Sequence, residues 1–215
     1  MWRIRVKRTV HVVVLLFLAC AALASLSNVA QAQKIDIGFG VSTILAPSAT
    51  SCGSNCGNPY YPETLAGGAY PGFSGDVLFW HNLGFGAEVS WRAAQRENFQ
   101  NTGFNFRPVF YNFNAVYAAK VAPHVAVELV GGIGGSDTHV LACNLTFSSS
   151  SCVGGTSTIG SSNHFDADFG GGIKLYAHGG FFIRPEARFY IIHNETDYSA
   201  NHATRVGATI GYTFR

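Results

Sequence analysis

Val125–Gly135, VAVELVGGIGG, reads with a period of two. Val125, Val127, Leu129 and Ile133 fall on one face; Ala126, Glu128, Val130, Gly132 and Gly134 fall on the other. That period is the mark of a β-strand, whose successive side chains point to opposite sides of its sheet. One face here is apolar and uncharged. The other is small, with a single carboxylate at its centre.

The same pattern recurs on both sides of this stretch. Upstream, Lys34–Ile44 alternates Ile35, Ile37, Phe39 and Val41 with Asp36, Gly38, Gly40 and Ser42. Phe73–Trp80 sets Phe73, Val77 and Phe79 against Ser74 and Asp76, with Leu78 and Trp80 breaking the polar face near its end. Phe85–Arg92 sets Phe85, Ala87, Val89 and Trp91 against Gly86, Glu88, Ser90 and Arg92, and Phe106–Ala118 follows with Asn112 and Asn114 on its polar face. Downstream come His164–Tyr176, Phe181–Ile192 and Thr204–Phe214. Pro185 interrupts the seventh strand, where its missing N–H calls for a bulge or a local break.

That makes eight strands. Tight turns at 81–84, 120–124 and 177–180 alternate with longer segments at 46–69, 94–103, 136–163 and 193–201, so the long segments share one end and both termini share the other. Even strand number, short turns at one end and long loops at the other describe an up-and-down transmembrane barrel, its short turns periplasmic and its long loops extracellular.

Composition agrees. Hydrophobic residues make up 47% of the chain and charged residues only 12%, about half the charged share of a soluble domain. The segment 1–32 reads as an export signal, with Arg3, Arg5, Lys7 and Arg8 ahead of an apolar run and Ala30-Gln31-Ala32 as the cleavage triplet. Phe17-Leu18-Ala19 before Cys20 is a poor lipoprotein signal. Four of the 14 Lys and Arg lie in that segment and none of the 12 Asp and Glu, so the mature chain is negative by two. It has no basic cluster, which argues against nucleic acid. After the signal no run of eighteen apolar residues remains, so no helix is expected to span a membrane. An apolar exported chain of alternating strands then points to a closed barrel, which leaves no backbone group unsatisfied in lipid.

Alternation does not say which face is outside. The apolar faces carry many Phe, Tyr, Trp, Ile and Val, bulkier than an eight-stranded barrel can enclose. The other faces carry Gly, Ser, Thr, Asn and sparse charges, which fit. The polar face is therefore expected to line the lumen. Its charges are Asp36, Asp76, Glu88, Glu128, Asp166, Asp168 and Glu186 with Arg92, Lys174, Arg184, Arg188 and Arg205. They are expected to pair, because an unpaired desolvated charge is costly; Arg188 or Arg92 are candidate partners of Glu128. The paired network either plugs the barrel or lines a narrow path. Aromatic residues near strand ends, among them Phe79, Trp80, Phe85, Tyr117, Phe181, Tyr212 and Phe214, suit an interfacial girdle.

Cysteine usage fits export. Cys52 and Cys56 fall in the first long segment, Cys143 and Cys152 in the third, and two within-segment disulfides are the favoured of three pairings. Neither spacing is the Cys-x2-Cys of a zinc site. No metal or cofactor is expected. Gly131–Gly135 is no phosphate loop, since no Gly-Lys-Ser/Thr follows it.

The last strand, RVGATIGYTFR, alternates to the terminal aromatic Phe214 and resembles the C-terminal strand that outer-membrane barrels present to their insertion machinery. With LGFGAEVSWR at 83–92 and FGGGIKLY at 169–176, residues 33–215 resemble the small outer-membrane β-barrel domain family, the OmpA-transmembrane-like and opacity-protein-like porin-family group. The resemblance implies an outer-membrane location, contact with outer-membrane lipid and with the insertion machinery, a monomer, and no peptidoglycan-binding domain after Phe214. It covers anchors, adhesins and narrow pores. The leading expectation is a non-enzymatic structural or surface-interaction barrel displaying its loops, with a narrow porin-like channel as the alternative. A lipid A-modifying hydrolase shares this barrel size and would need a Ser/His/acid set. The pool for one is His139, His164, His193, His202, Ser136, Ser162, Asp137, Asp166 and Glu195, and no spacing singles out a triad.

Overall fold

The computed structural model describes residues 34–47, 64–94, 96–97, 104–143, 156–193, 198 and 200–214. Its strands are β1 (Lys34–Leu45), β2 (Tyr70–Trp80), β3 (Leu83–Trp91), β4 (Arg96–Glu97), β5 (Phe104–Ala122), β6 (Val125–Cys143), β7 (Thr156–Tyr176), β8 (Phe181–Ile192) and β9 (His202–Phe214). The two-residue β4 pairs with β5 above the point where β3 leaves it, so β3 and β4 form one stave and the staves number eight. All pairs are antiparallel between chain neighbours, and β1 pairs with β9 to close the barrel. Closure removes every edge from the lipid.

The expected faces are the observed ones. Among the described residues twenty-eight large apolar side chains are exposed, including Phe85, Phe113, Leu129, Ile133, Phe181 and Ile210. Asp36, Glu128, Asp166, Lys174, Arg184 and Arg188 are buried. This inverts a soluble protein, which could not leave such an apolar belt in water; in a bilayer the belt is the solvated face.

Three short turns close one end of the barrel, the end expected to be periplasmic. His81 and Asn82 connect β2 to β3 with φ of 43° and 71°, the double left-handed pair of a type I′ hairpin, whose twist matches the flanking strands. Beside it Leu78 pairs with Gly84 but Trp80 with Leu83, so Phe79 is an extra residue. That bulge explains the odd end of the strand: Leu78 points in, while Phe79 and Trp80 both face lipid. A second bulge at Val121 precedes the Pro123–His124 turn. Gly179 takes a φ of 62° in the third turn.

One expectation needs correction, and another resolves between its two alternatives. The segment 136–163 is not one loop: β6 runs up to Cys143 and β7 starts at Thr156, with pairing from Ser136↔His164 to Cys143↔Thr156. Backbone pairing of Thr- and Ser-rich strands needs no apolar alternation, so the sequence pattern faded before the ladder did. At Pro185 the ladder to β7 skips Ile173 and Lys174 opposite Arg184 and Pro185, yet Gly172↔Glu186 and Leu175↔Ile183 keep one register. It is a local break without a bulge. The export segment, Cys52, Cys56, Cys152 and the side chain of Cys143 lie outside the described residues.

Candidate functional site: the lumen and its outer rim

At many positions the inward face packs by pairing large with small across a ladder. Asp76 lies opposite Gly86, Asn114 opposite Gly132, and Asn112 opposite Gly134. Arg188 lies opposite Gly170, Glu186 opposite Gly172, and Phe182 opposite Gly211. A Cβ on Gly132 would run into Asn114 and stand 2.5 Å from the Phe113 carbonyl; one on Gly172 would stand 2.9 Å from Arg184 Cγ. These glycines make room for the side chains that fill the barrel.

The charges fall into two joined groups. On the periplasmic side, Lys174 Nζ lies 2.5 Å from Asp36 and also binds Glu128. Arg184 Nη1 lies 2.5 Å from Glu128 and 3.4 Å from Asp76, and its Nη2 donates to Ser74 Oγ at 3.2 Å. Above them Arg188 bridges Glu88 at 2.8 Å and Asp168 at 3.3 Å, while Arg205 binds Glu88 and donates to Ser90 Oγ at 3.0 Å. Glu186 links the groups, 2.9 Å from Arg184 Nε and 3.6 Å from Arg205 Nη2. With its amide turned to satisfy both neighbours, Asn114 donates to Asp168 and accepts from Arg188, each at 3.1 Å. Asp166 accepts a hydrogen bond from Asn112 at 2.5 Å.

Two expected placements change. The partners of Glu128 are Lys174 and Arg184, because Arg188 lies on the far side of Glu186, four residues up β8. Arg92 stands apart from the network: it meets the Ala66 carbonyl at 3.5 Å and lies over the rings of Tyr70 and Phe106 at 5.9 and 5.8 Å. As the first residue after β3, it sits at the mouth and turns to the aromatic rings there.

Apolar layers bound the charges, and the sequence reading missed them. Leu78, Val116, Ala118 and Val130 form a buried floor, and Lys174 Nζ lies 5.3 Å from the Phe182 ring centre. Ile44, Leu65, Tyr70, Phe110, Tyr190, Ile192, Tyr198 and Ala203 form a ceiling. Phe110 packs on Tyr190 at 5.3 Å, and Arg205 lies 5.6 Å from the Tyr190 ring centre. Most ceiling residues come from strand ends and connections, where alternation gives little guidance; Phe110 and Tyr190 share the inward parity of Asn112 and Arg188. Between the layers a cavity of about 20 Å³ borders Ser42, Glu88, Ser90, Glu186, Arg205 and Thr209, room for about one water.

Of the hydrolase candidates, the structure brings one Ser–His pair and one His–acid pair into contact. Ser162 Oγ is 2.8 Å from His164 Nε2, and His164 Nδ1 is 3.1 Å from the His193 carbonyl. The carbonyl can only accept, so Nδ1 carries the proton and Nε2 accepts from Ser162. Tyr198 packs on His164 at 4.9 Å, and its hydroxyl meets Thr138 and, at 3.4 Å, Ser136. His139 pairs instead with Asp137 at 3.4 Å on the outer wall, and His202 lies beside Asn201. Glu195 lies outside the described residues.

No family model matches the chain, and no curated protein does. Among solved structures it is similar to neisserial surface protein A, with a TM-score of 0.55 at 12% identity over 85% of this chain and 97% of that one. It is similar also to a major outer membrane protein from Thermus thermophilus, with a TM-score of 0.55 at 10% identity over 86% and 100%. At such identities the likeness is one of fold, and it coincides with the lipid-facing belt and the filled lumen. The chain has the fold of the small bacterial outer-membrane barrels, an antiparallel barrel of eight staves.

Proposed function

We propose that this protein is a non-conducting, non-enzymatic barrel that anchors surface segments in the outer membrane and presents them for contact with partners. The observation that carries the reading is the filled lumen: ten buried or nearly buried charges joined by ion pairs, between an apolar floor and an aromatic ceiling. A hydrated path would have to break several charge-assisted bonds at once, each in a setting where an unpaired charge is costly. What stays free to vary is the outer end, where β6 and β7 rise past the barrel wall and where binding segments on rigid scaffolds concentrate. The Ser162–His164 contact does not alter this, because the second nitrogen of His164 meets a carbonyl where a triad would place a carboxylate.

Two measurements test the reading. Vesicles holding the refolded barrel should swell no faster than empty ones in small sugars; faster swelling favours the channel alternative. Protease applied to intact cells should cut segments at the outer end and leave the paired strands as a heat-modifiable core. Protection of every outer segment would contradict surface display.

A further inference from the structure

The periplasmic rim carries basic side chains among its described residues. Each short turn carries an exposed histidine: His81 beside Asn82, His124 beside Pro123, and His178 before Gly179. Lys120 is exposed beside the second turn, and Lys34 is half-buried at the start of β1. Among the described residues no carboxylate is exposed at this end. The acids nearest to it, Asp36, Asp76 and Glu128, point into the lumen and are paired with Lys174 and Arg184 above the apolar floor. Among the described residues the other ionisable groups around the turns are the phenols of Tyr117, Tyr176 and Tyr212.

The depth of these groups is also fixed. The connections are two residues, two residues and four residues long, so none can carry its side chain far from the last lipid-facing ring. Phe79, Trp80, Phe85, Val121, Phe181 and Phe214 form that ring, all exposed. Trp80 meets the His81 ring edge-on at 5.2 Å, which holds this imidazole at the level of an interfacial tryptophan. The left-handed backbone at His81 and Asn82 sets the direction of the side chain.

We propose that this rim is a binding surface for the phosphate-bearing headgroups of anionic phospholipids in the periplasmic leaflet. Cations at the membrane surface are drawn to anionic lipid only within about a Debye length, roughly 8 Å, and here they lie directly beneath the apolar wall. A soluble acidic partner would need groups that reach past the headgroups, and turns this short do not. Three of the five groups are imidazoles, whose ring N–H can donate to a phosphate oxygen, and Lys34 and Lys120 add ammonium charge.

The test is spin-label lipid selectivity of the full barrel refolded in phosphatidylcholine vesicles. Labelled phosphatidylglycerol should associate about twofold or more over labelled phosphatidylcholine, and less in high salt. The H81N/H124Q/H178Q variant and K120Q should each lower the preference. H139Q/H193Q/H202Q, altered at the outer end, should keep it in full. H124Q/H178Q, which leaves the hairpin turn intact, should lower it if the triple variant fails to refold. Equal association of the two lipids, or a preference that survives the turn variants and K120Q and vanishes with the outer ones, overturns the proposal.

Discussion

The two faces of β6 obey different rules. Outward, Val127, Leu129 and Ile133 meet lipid; Leu129 is 56% exposed to whatever surrounds the barrel. Any apolar side chain there satisfies the same solvent. Inward, Glu128 is 1% exposed and holds Lys174 and Arg184, while Gly132 leaves the space that Asn114 fills. The outer face is specified by class and the inner face by partner. A substitution therefore costs little outside and much inside, even between adjacent residues.

The largest effect belongs to Glu128→Ala. It leaves two buried cations short of their shared carboxylate, and breaking one side of such a pair costs about 3–5 kcal/mol. Urea unfolding of the refolded barrel in vesicles should show it, and adding Lys174→Met should recover part of the loss. If E128A unfolds like wild type, the inner face is not specified by its partners. Next comes Gly132→Val, which forces Asn114 and the neighbouring backbone apart at about 1–3 kcal/mol; its heat-modified gel shift should move to lower temperature. Arg92→Ala should cost about 1 kcal/mol or less, since Arg92 offers one long hydrogen bond and ring contacts. A loss as large as that of E128A would place Arg92 inside the network. Smallest is Leu129→Ala, about 0.5 kcal/mol from the weaker lipid transfer of the side chain, because lipid fills the space and no cavity forms.

The same contrast explains what was legible in the sequence. Period-two alternation places the lipid-facing residues strand by strand, and Phe181–Ile192 begins and ends where the pattern does. It also places Asp76, Glu88, Glu128 and Arg188 in the lumen, because facing follows from parity alone. Partners do not follow from parity. Whether Glu128 meets Arg184 or Arg188 depends on stagger around the barrel, which one strand does not record. Much of the ceiling stayed hidden because Leu65 and Tyr198 lie in connections and Tyr70 opens β2, while Phe110 shares the inward parity of Asn112. The rise of β6 and β7 past the wall was hidden for a related reason. Above Ile133 the outward positions turn polar at Asp137 and His139, so the lipid that imposes alternation no longer acts.

That the lumen is closed is most directly tested by planar-bilayer recording of the refolded wild-type barrel at high salt. With floor, ion pairs and ceiling in place, the trace should show no discrete steps above the protein-free bilayer. Reproducible unitary steps from the folded, heat-modifiable protein would contradict it, and would show that the network opens a path.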